Sequence, residues 1–96
     1  MRPSVALQRN LMAVRHAAQR FSVADIRVFG SVLAGRDEDG SDLDLIVDPL
    51  PETTLFDLGG LQVELEALLG VPVDLLTPGD LPERFRAHVL AQALAV

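Results

Sequence analysis

Cysteine, lysine, tyrosine and tryptophan are all absent from this 96-residue chain. Without cysteine there is no disulfide framework, no thiolate metal site and no cysteine nucleophile. Without lysine there is no Walker-type phosphate loop, which ends in Gly-Lys-Ser/Thr, and the GxGxxG dinucleotide fingerprint is missing as well. The eight basic side chains are all arginine and face fourteen acids, for a net charge of −6. Such a chain lacks the broad basic surface that neutralises a nucleic-acid backbone, so direct nucleic-acid binding is not expected. No apolar run approaches the roughly twenty residues of a membrane span. The opening MRPSVALQRN carries no apolar signal core, so a soluble cytoplasmic protein without a membrane partner is expected.

What is present is a core. Hydrophobic residues make up 49% of the chain and charged ones 23%, the balance of a folded domain rather than a disordered segment. The length suits one domain over residues 1–96. A domain this short buries a modest share of its surface, and a partner covering apolar surface would help it.

Periodicity predicts the elements. Leu7, Leu11, Val14, Ala18 and Phe21 recur at helical spacing, giving a helix from Pro3 or Ser4 to Phe21. Ile26–Phe29 reads as a strand closed by Gly30, followed by a helical turn at Val32–Ala34 and a polar loop over Gly35–Ser41. Leu43–Val47 reads as a second strand. A helix from about Thr53 to Leu69 places Leu58, Leu61, Leu65 and Leu68 on one face, with Gly59-Gly60 expected to delay or kink it and Gly70 to cap it. Val71–Leu76 reads as a third strand. Asp80 and Glu83 resemble a capping box for a last helix running toward Ala93. The expected fold is α/β (α+β), a small mixed three-stranded sheet with flanking helices.

The stretch from Gly30 to Leu45 concentrates the chemistry. Gly30-Ser31, between a strand and a helical turn, would present backbone N–H groups, a hydroxyl and a helix dipole to an anion, and a glycine lets a phosphate approach the backbone closely. Asp42 and Asp44 lie two apart at the head of a strand, so both carboxylates leave one face. Carboxylates held that close repel unless a cation lies between them, and hard oxygen ligands suit Mg²⁺. Asp74 interrupts an apolar strand, where a charge is costly without a partner or metal. If its strand neighbours the second, a triad forms of the kind that serves phosphoryl or nucleotidyl transfer. Taken singly, each signal has a plainer reading as a turn, a solvated loop acid or an exposed strand residue. An EF-hand is excluded, because counting from Asp37 the glycine falls fourth, at Gly40, where the sixth position requires it. Jointly, at these spacings, they point to a metal-dependent phosphate site.

Gly30-Ser31, the ten residues Val32 to Ser41, then Asp42-Leu43-Asp44 match the signature Gly-Ser, ten residues, Asp-x-Asp, and Val73-Asp74-Leu75 follows. On these residues the chain resembles a minimal nucleotidyltransferase of the DNA polymerase beta superfamily, the type paired with HEPN proteins in prokaryotic toxin–antitoxin systems. The resemblance extends over nearly the whole chain. It implies a Mg²⁺-dependent antitoxin that binds ATP and transfers AMP to a tyrosine hydroxyl of a HEPN ribonuclease toxin. It implies Asp42, Asp44 and Asp74 as catalytic metal ligands, with Asp74 as third ligand or as the group that helps deprotonate the acceptor. It also implies Gly30 and Ser31 at the nucleotide's terminal phosphates. With no tyrosine in the chain, a tyrosine acceptor belongs on another protein. With no lysine, phosphate charge is met by metal, backbone amides and either Arg36 or Arg27, of which Arg36, one turn past the Gly-Ser pair, is the better placed.

Two other functions compete: an antitoxin that neutralises its partner by binding alone, and a transferase acting on a small molecule such as an aminoglycoside. The chain is short for the last. His16 and His88 are expected to be surface residues, and Glu52, Asp57, Glu64 and Glu66 solvated helix faces. Leu55, Phe56, Leu58, Leu61, Leu65, Leu68, Leu69, Phe85, Val89, Leu90 and Leu94 exceed what a core this small must bury. Part of that set is expected to contact a partner, in a homo- or hetero-oligomer.

Overall fold

The computed structural model describes all residues, Met1–Val96. Pro3 opens the first helix, α1 (Pro3–Arg9), at a position where its missing N–H costs nothing. The expected single helix to Phe21 is two: the backbone leaves helical angles at Asn10 (φ −128°, ψ 22°), and α2 (Leu11–Arg20) begins afresh. The asparagine amide donates to the Ala6 carbonyl at 2.8 Å, a side-chain bond that competes with helix continuation. Leu7, Val14 and Ala18 are buried as the periodicity requires, while Leu11 and Phe21 pack at the margin of the core.

A sheet carries the rest. Its order is β3-β2-β1-β4, built from β1 (Val23–Phe29), β2 (Leu43–Pro49), β3 (Val73–Leu76) and β4 (Leu94–Ala95). β1 and β2 are antiparallel, with Val28 opposite Leu45 and Phe29 opposite Asp44. β2 and β3 are parallel, with Leu43 opposite Val73 and Asp44 opposite Asp74. The fourth strand corrects the expected count of three. It is two residues long, pairs with Arg27 and Val28 of β1, and is too short for alternation to reveal.

Strand alternation gives the sheet two different faces. Ile26, Val28, Leu43, Leu45, Val47 and Val73 enter one cluster with Val14, Ala17 and Ala18 of α2 and with the next helix. That helix, α4 (Leu55–Leu69), follows a one-turn α3 (Gly30–Leu33) between β1 and β2. Arg27, Phe29, Asp44, Ile46, Asp48 and Asp74 take the other parity.

Helix α4 runs unbroken through Gly59-Gly60, because a reciprocal Thr54–Asp57 capping box opens it and Gly70, at φ 68°, closes it. Each glycine costs about 1 kcal/mol relative to alanine in a helix interior. Gly60 has a reason inside the fold, since a Cβ there would lie 2.7 Å from Phe21 Cε1. Gly59 has none: a Cβ there meets nothing within 4 Å. Leu58, Leu61 and Leu65 turn inward as expected, but the fourth inward position is Leu69, four residues past Leu65, and Leu68 is exposed.

After β3, Thr77 and Asp80 cap each other across a short 3-10 turn (Pro78–Asp80). Asp80 is thereby occupied, with its Oδ2 accepting from the Thr77 N–H at 2.9 Å. The expected Asp80–Glu83 box does not form, and α5 (Glu83–Gln92) starts after Pro82 without a side-chain cap.

One loop acid is a structural pin. Asp37 is 4% exposed. Its carboxylate accepts from the Ser4 N–H at 2.8 Å and from Arg2 Nη2 at 3.1 Å, and Arg2 Nε donates to its carbonyl at 3.0 Å. The bond from the Ser4 N–H, reinforced by Arg2, holds the Asp37 pKa below the usual carboxylate value despite burial. The loop between α3 and β2 is thus tied to the first turn of α1, where it supplies the acceptor for the Ser4 N–H.

Candidate active site

Gly30 ends β1 with φ +71°, in the left-handed region that favours glycine. The position is also sterically closed, because a Cβ there would lie 2.2 Å from Asp44 Oδ2. The main chain at Gly30 is therefore pressed against the Asp44 carboxylate. Asp44 is the centre of the site. It lies opposite Phe29 on one side and Asp74 on the other, and Asp42, the residue before β2, is near enough for its charge to act on Asp44. Paired strands are about 4.8 Å apart, so Asp44 and Asp74 are close neighbours.

The electrostatics follow. Burial, then repulsion from Asp74, then repulsion from Asp42 push the Asp44 pKa above the usual carboxylate range, and a hydrogen bond from the Ser31 backbone N–H works against them. Asp42 and Asp74 are exposed, and Ser31 and Asp44 are half-buried. In the sequence this grouping is conditional on the third strand neighbouring the second, and the parallel pairing of β2 with β3 meets that condition.

Helix α3 is a single turn, so its dipole contributes little. What it offers an anion is the Ser31 hydroxyl and the first-turn N–H groups other than that of Ser31, which already donates to Asp44. The Arg36 N–H donates to the Ser31 carbonyl at 2.9 Å and closes the turn, and the exposed Arg36 side chain has no ion pair inside the chain. Arg27 is committed elsewhere: its Nη2 lies 3.0 Å from both Asp48 oxygens, and Nε is buried without an acceptor. That pair was legible in principle, because alternation puts Arg27 and Asp48 on one face. No short-range signal could have linked Asp37 to Arg2 and Ser4.

His16 and His88 are exposed, as expected. The helix acids are less idle than the sequence suggests. Asp57 caps α4, Glu64 pairs with Arg20, and Glu66 accepts from the Val73 N–H at 2.9 Å, which holds the start of β3.

No group of three or more His, Asp or Glu side chains is arranged to hold a metal ion by itself. The donor chemistry nonetheless fits a hard divalent cation, with one carboxylate destabilised by two others and relieved by positive charge. Mg²⁺ is commonly held by one or two carboxylates, with phosphate oxygens and water filling the other positions.

The nucleotidyltransferase domain family matches residues 11–94. The protein adenylyltransferase MntA of Thermococcus cleftensis is 37% identical over 78 residues, which cover 81% of this chain and 79% of that one. A Methanocaldococcus jannaschii protein provisionally named a protein adenylyltransferase is 31% identical over 83 residues, 86% of this chain and 84% of its own. Among solved structures, a minimal nucleotidyltransferase superposes with TM-score 0.83 at 38% identity, over 97% of this chain and 93% of its own. A toxin–antitoxin complex with AMP-PNP shares the fold, with TM-score 0.74 at 20% identity over 90% of this chain and 71% of its own. No helix is long and apolar enough to cross a membrane. With a match over most of its length and the carboxylates gathered beside the Gly-Ser turn, the chain belongs to the nucleotidyltransferase domain family and is a nucleotidyltransferase.

Proposed function

We propose that this protein is an antitoxin that transfers AMP from Mg²⁺-ATP to a tyrosine hydroxyl of a HEPN-family toxin and silences it. One observation carries the reading: Asp44, pressed on by Gly30 and flanked by Asp74 and Asp42, is a carboxylate made costly in the free protein and suited to a cation brought with a nucleotide. The relatives named as protein adenylyltransferases and the toxin–antitoxin neighbours support it.

Asp42 and Asp44 would hold Mg²⁺, with Asp74 either as third ligand or as the group that takes the acceptor's proton, and the metal would neutralise charge at the α-phosphate and on departing pyrophosphate. The backbone at Gly30 and the Ser31 hydroxyl would receive the terminal phosphates, while the missing side chain of Gly30 and the Ser31 N–H serve Asp44. Arg36, free of internal partners, supplies positive charge beside them. The phenolic oxygen forms a bond to the α-phosphorus as the bond from that phosphorus to the bridging oxygen breaks. Pyrophosphate leaves with the electron pair, and the phenolic proton passes to Asp74 or to water. The acceptor comes from another protein, since this chain has no tyrosine.

The test is the intact mass of a co-expressed HEPN partner. With wild type, the partner gains one or more AMP units, and peptide mapping places them on tyrosine. With the Asp42→Asn/Asp44→Asn double variant it gains none. A second reading, silencing by binding alone, is favoured by apolar side chains left in solvent, Leu55 at 86% and Phe56 at 92% exposure. It is the correct one if both versions silence the toxin and neither adds mass.

A further inference from the structure

The side of α4 that points away from the core should be its most polar, and it is apolar. Leu58, Leu61, Leu65 and Leu69 face the sheet. Directly opposite, at helical spacing, stand Phe56, Gly59, Val63 and Ala67, with no charged or hydrogen-bonding side chain among them, and Gly60 lies at their edge against Phe21. Phe56 and Val63 are exposed, and the two glycines open a shallow groove beside Val63 and Ala67. Internal packing accounts for Gly60 through Phe21 but leaves Gly59 unexplained, since its outward side is open space.

The rim settles what kind of surface fits. The charged side chains of α4 are Asp57, Glu64 and Glu66, all acidic, and only Glu64 has a cation, Arg20. A second copy of a chain with net charge −6 would bring like rims together. We infer that the outward face of α4 is a docking surface for an amphipathic helix of a partner protein, its apolar stripe seated over Gly59 and Val63 and its flanks rich in arginine or lysine. α4 packs on the core face of the sheet, opposite the face that carries Asp44 and Asp74. The docking surface and the reacting atoms are therefore on opposite sides of the sheet, and a partner gripped at α4 is held by a surface other than the one that presents its acceptor. This rests on the antitoxin reading only in naming the toxin as the protein expected to carry that helix.

The probe is a fluorescent eighteen-residue peptide with a leucine face and arginine flanks. Its controls are the same peptide with glutamate flanks and a scrambled arginine peptide, each titrated into the 96-residue chain. The arginine-flanked helix binds at least about tenfold more tightly than either control, and it weakens at least about tenfold on Phe56→Asp or Val63→Asp. Both substitutions are at exposed positions, and circular dichroism checks that the variants fold. Asp44→Asn leaves peptide binding unchanged, whereas Phe56→Asp leaves binding of Mg²⁺-ATP unchanged, so failure of the docking surface and failure of the catalytic reading give different patterns. Equal binding of the control peptides, or indifference to both α4 substitutions, overturns the proposal. Self-association by light scattering that Phe56→Asp abolishes overturns it in favour of a second copy.

Discussion

Two aspartates only seven residues apart in sequence leave bulk water on opposite terms. Asp37 is fully satisfied by the Ser4 N–H and Arg2, and its folded pKa is depressed. Asp44 has burial and two like charges against it and one N–H in its favour, and its pKa is raised. The first stabilises the fold through its charge. The second is a charge the free protein holds at a cost, as groups awaiting a cationic ligand are. The sign of the shift separates the acid that ties down the loop from the acid proposed to meet a cation.

The contrast can be broken at its strongest point first. Asp44→Asn is expected to lower AMP transfer by on the order of a hundredfold or more, since the site loses its central anionic group. The same change should leave the melting midpoint equal or higher, because a poorly solvated carboxylate beside two others is gone. A fall in thermal stability without loss of transfer would reverse the assignment. Gly30→Ala follows. The left-handed backbone alone costs at least about 1 kcal/mol for alanine, and the new methyl would displace the Asp44 carboxylate. Loss of both nucleotide binding and stability is expected, read by calorimetry and thermal melting.

Asp37→Ala should do the converse, lowering the melting midpoint while transfer per folded molecule stays close to wild type. The pH dependence has a definite sign. A folded pKa below the ordinary 3.8 means the contribution is whole above that value and is lost as pH falls through the folded one. Acid unfolding of the variant should accordingly be shallower in that window. The smallest effect compares the adjacent glycines. Gly59→Ala is expected to raise stability by about 0.5–1 kcal/mol, and Gly60→Ala to lower it through contact with Phe21, both measurable by urea denaturation.

Much of the site was legible because its information is local. Gly30-Ser31 and Asp42-Leu43-Asp44 sit within one strand–turn–strand unit, and period-two alternation decides which side chains share a face. Asp74 was legible because a charge in an apolar strand is conspicuous. What escaped notice depended on distance or brevity. Asp37 reads as one more loop acid until Arg2 and Ser4, more than thirty residues away, reach it. β4 is two residues long, and its pairing is set by where α5 delivers the chain. The break at Asn10 turns on one amide choosing the Ala6 carbonyl, against an apolar periodicity that runs straight through. The Gly59-Gly60 expectation failed for another reason: the cap at Thr54–Asp57 and the burial of Leu61 and Leu65 outweigh a propensity penalty that acts alone in a peptide but not in a packed helix.

The parallel pairing of β2 with β3 also gives the site an order of assembly. Asp42 and Asp44 come with the β1–β2 hairpin-like unit, but Asp74 can take its place opposite Asp44 only after α4 has carried the chain across to β3. A ribosome-bound or proteolytically clipped chain that ends before Val73 holds the Gly-Ser turn and two of the acids, yet lacks the third. On the proposed triad, catalytic competence would arrive only after the crossover has closed, and a nucleotide held through all three acids would be a ligand of the finished fold alone. It would protect the complete protein from degradation while leaving fragments without protection.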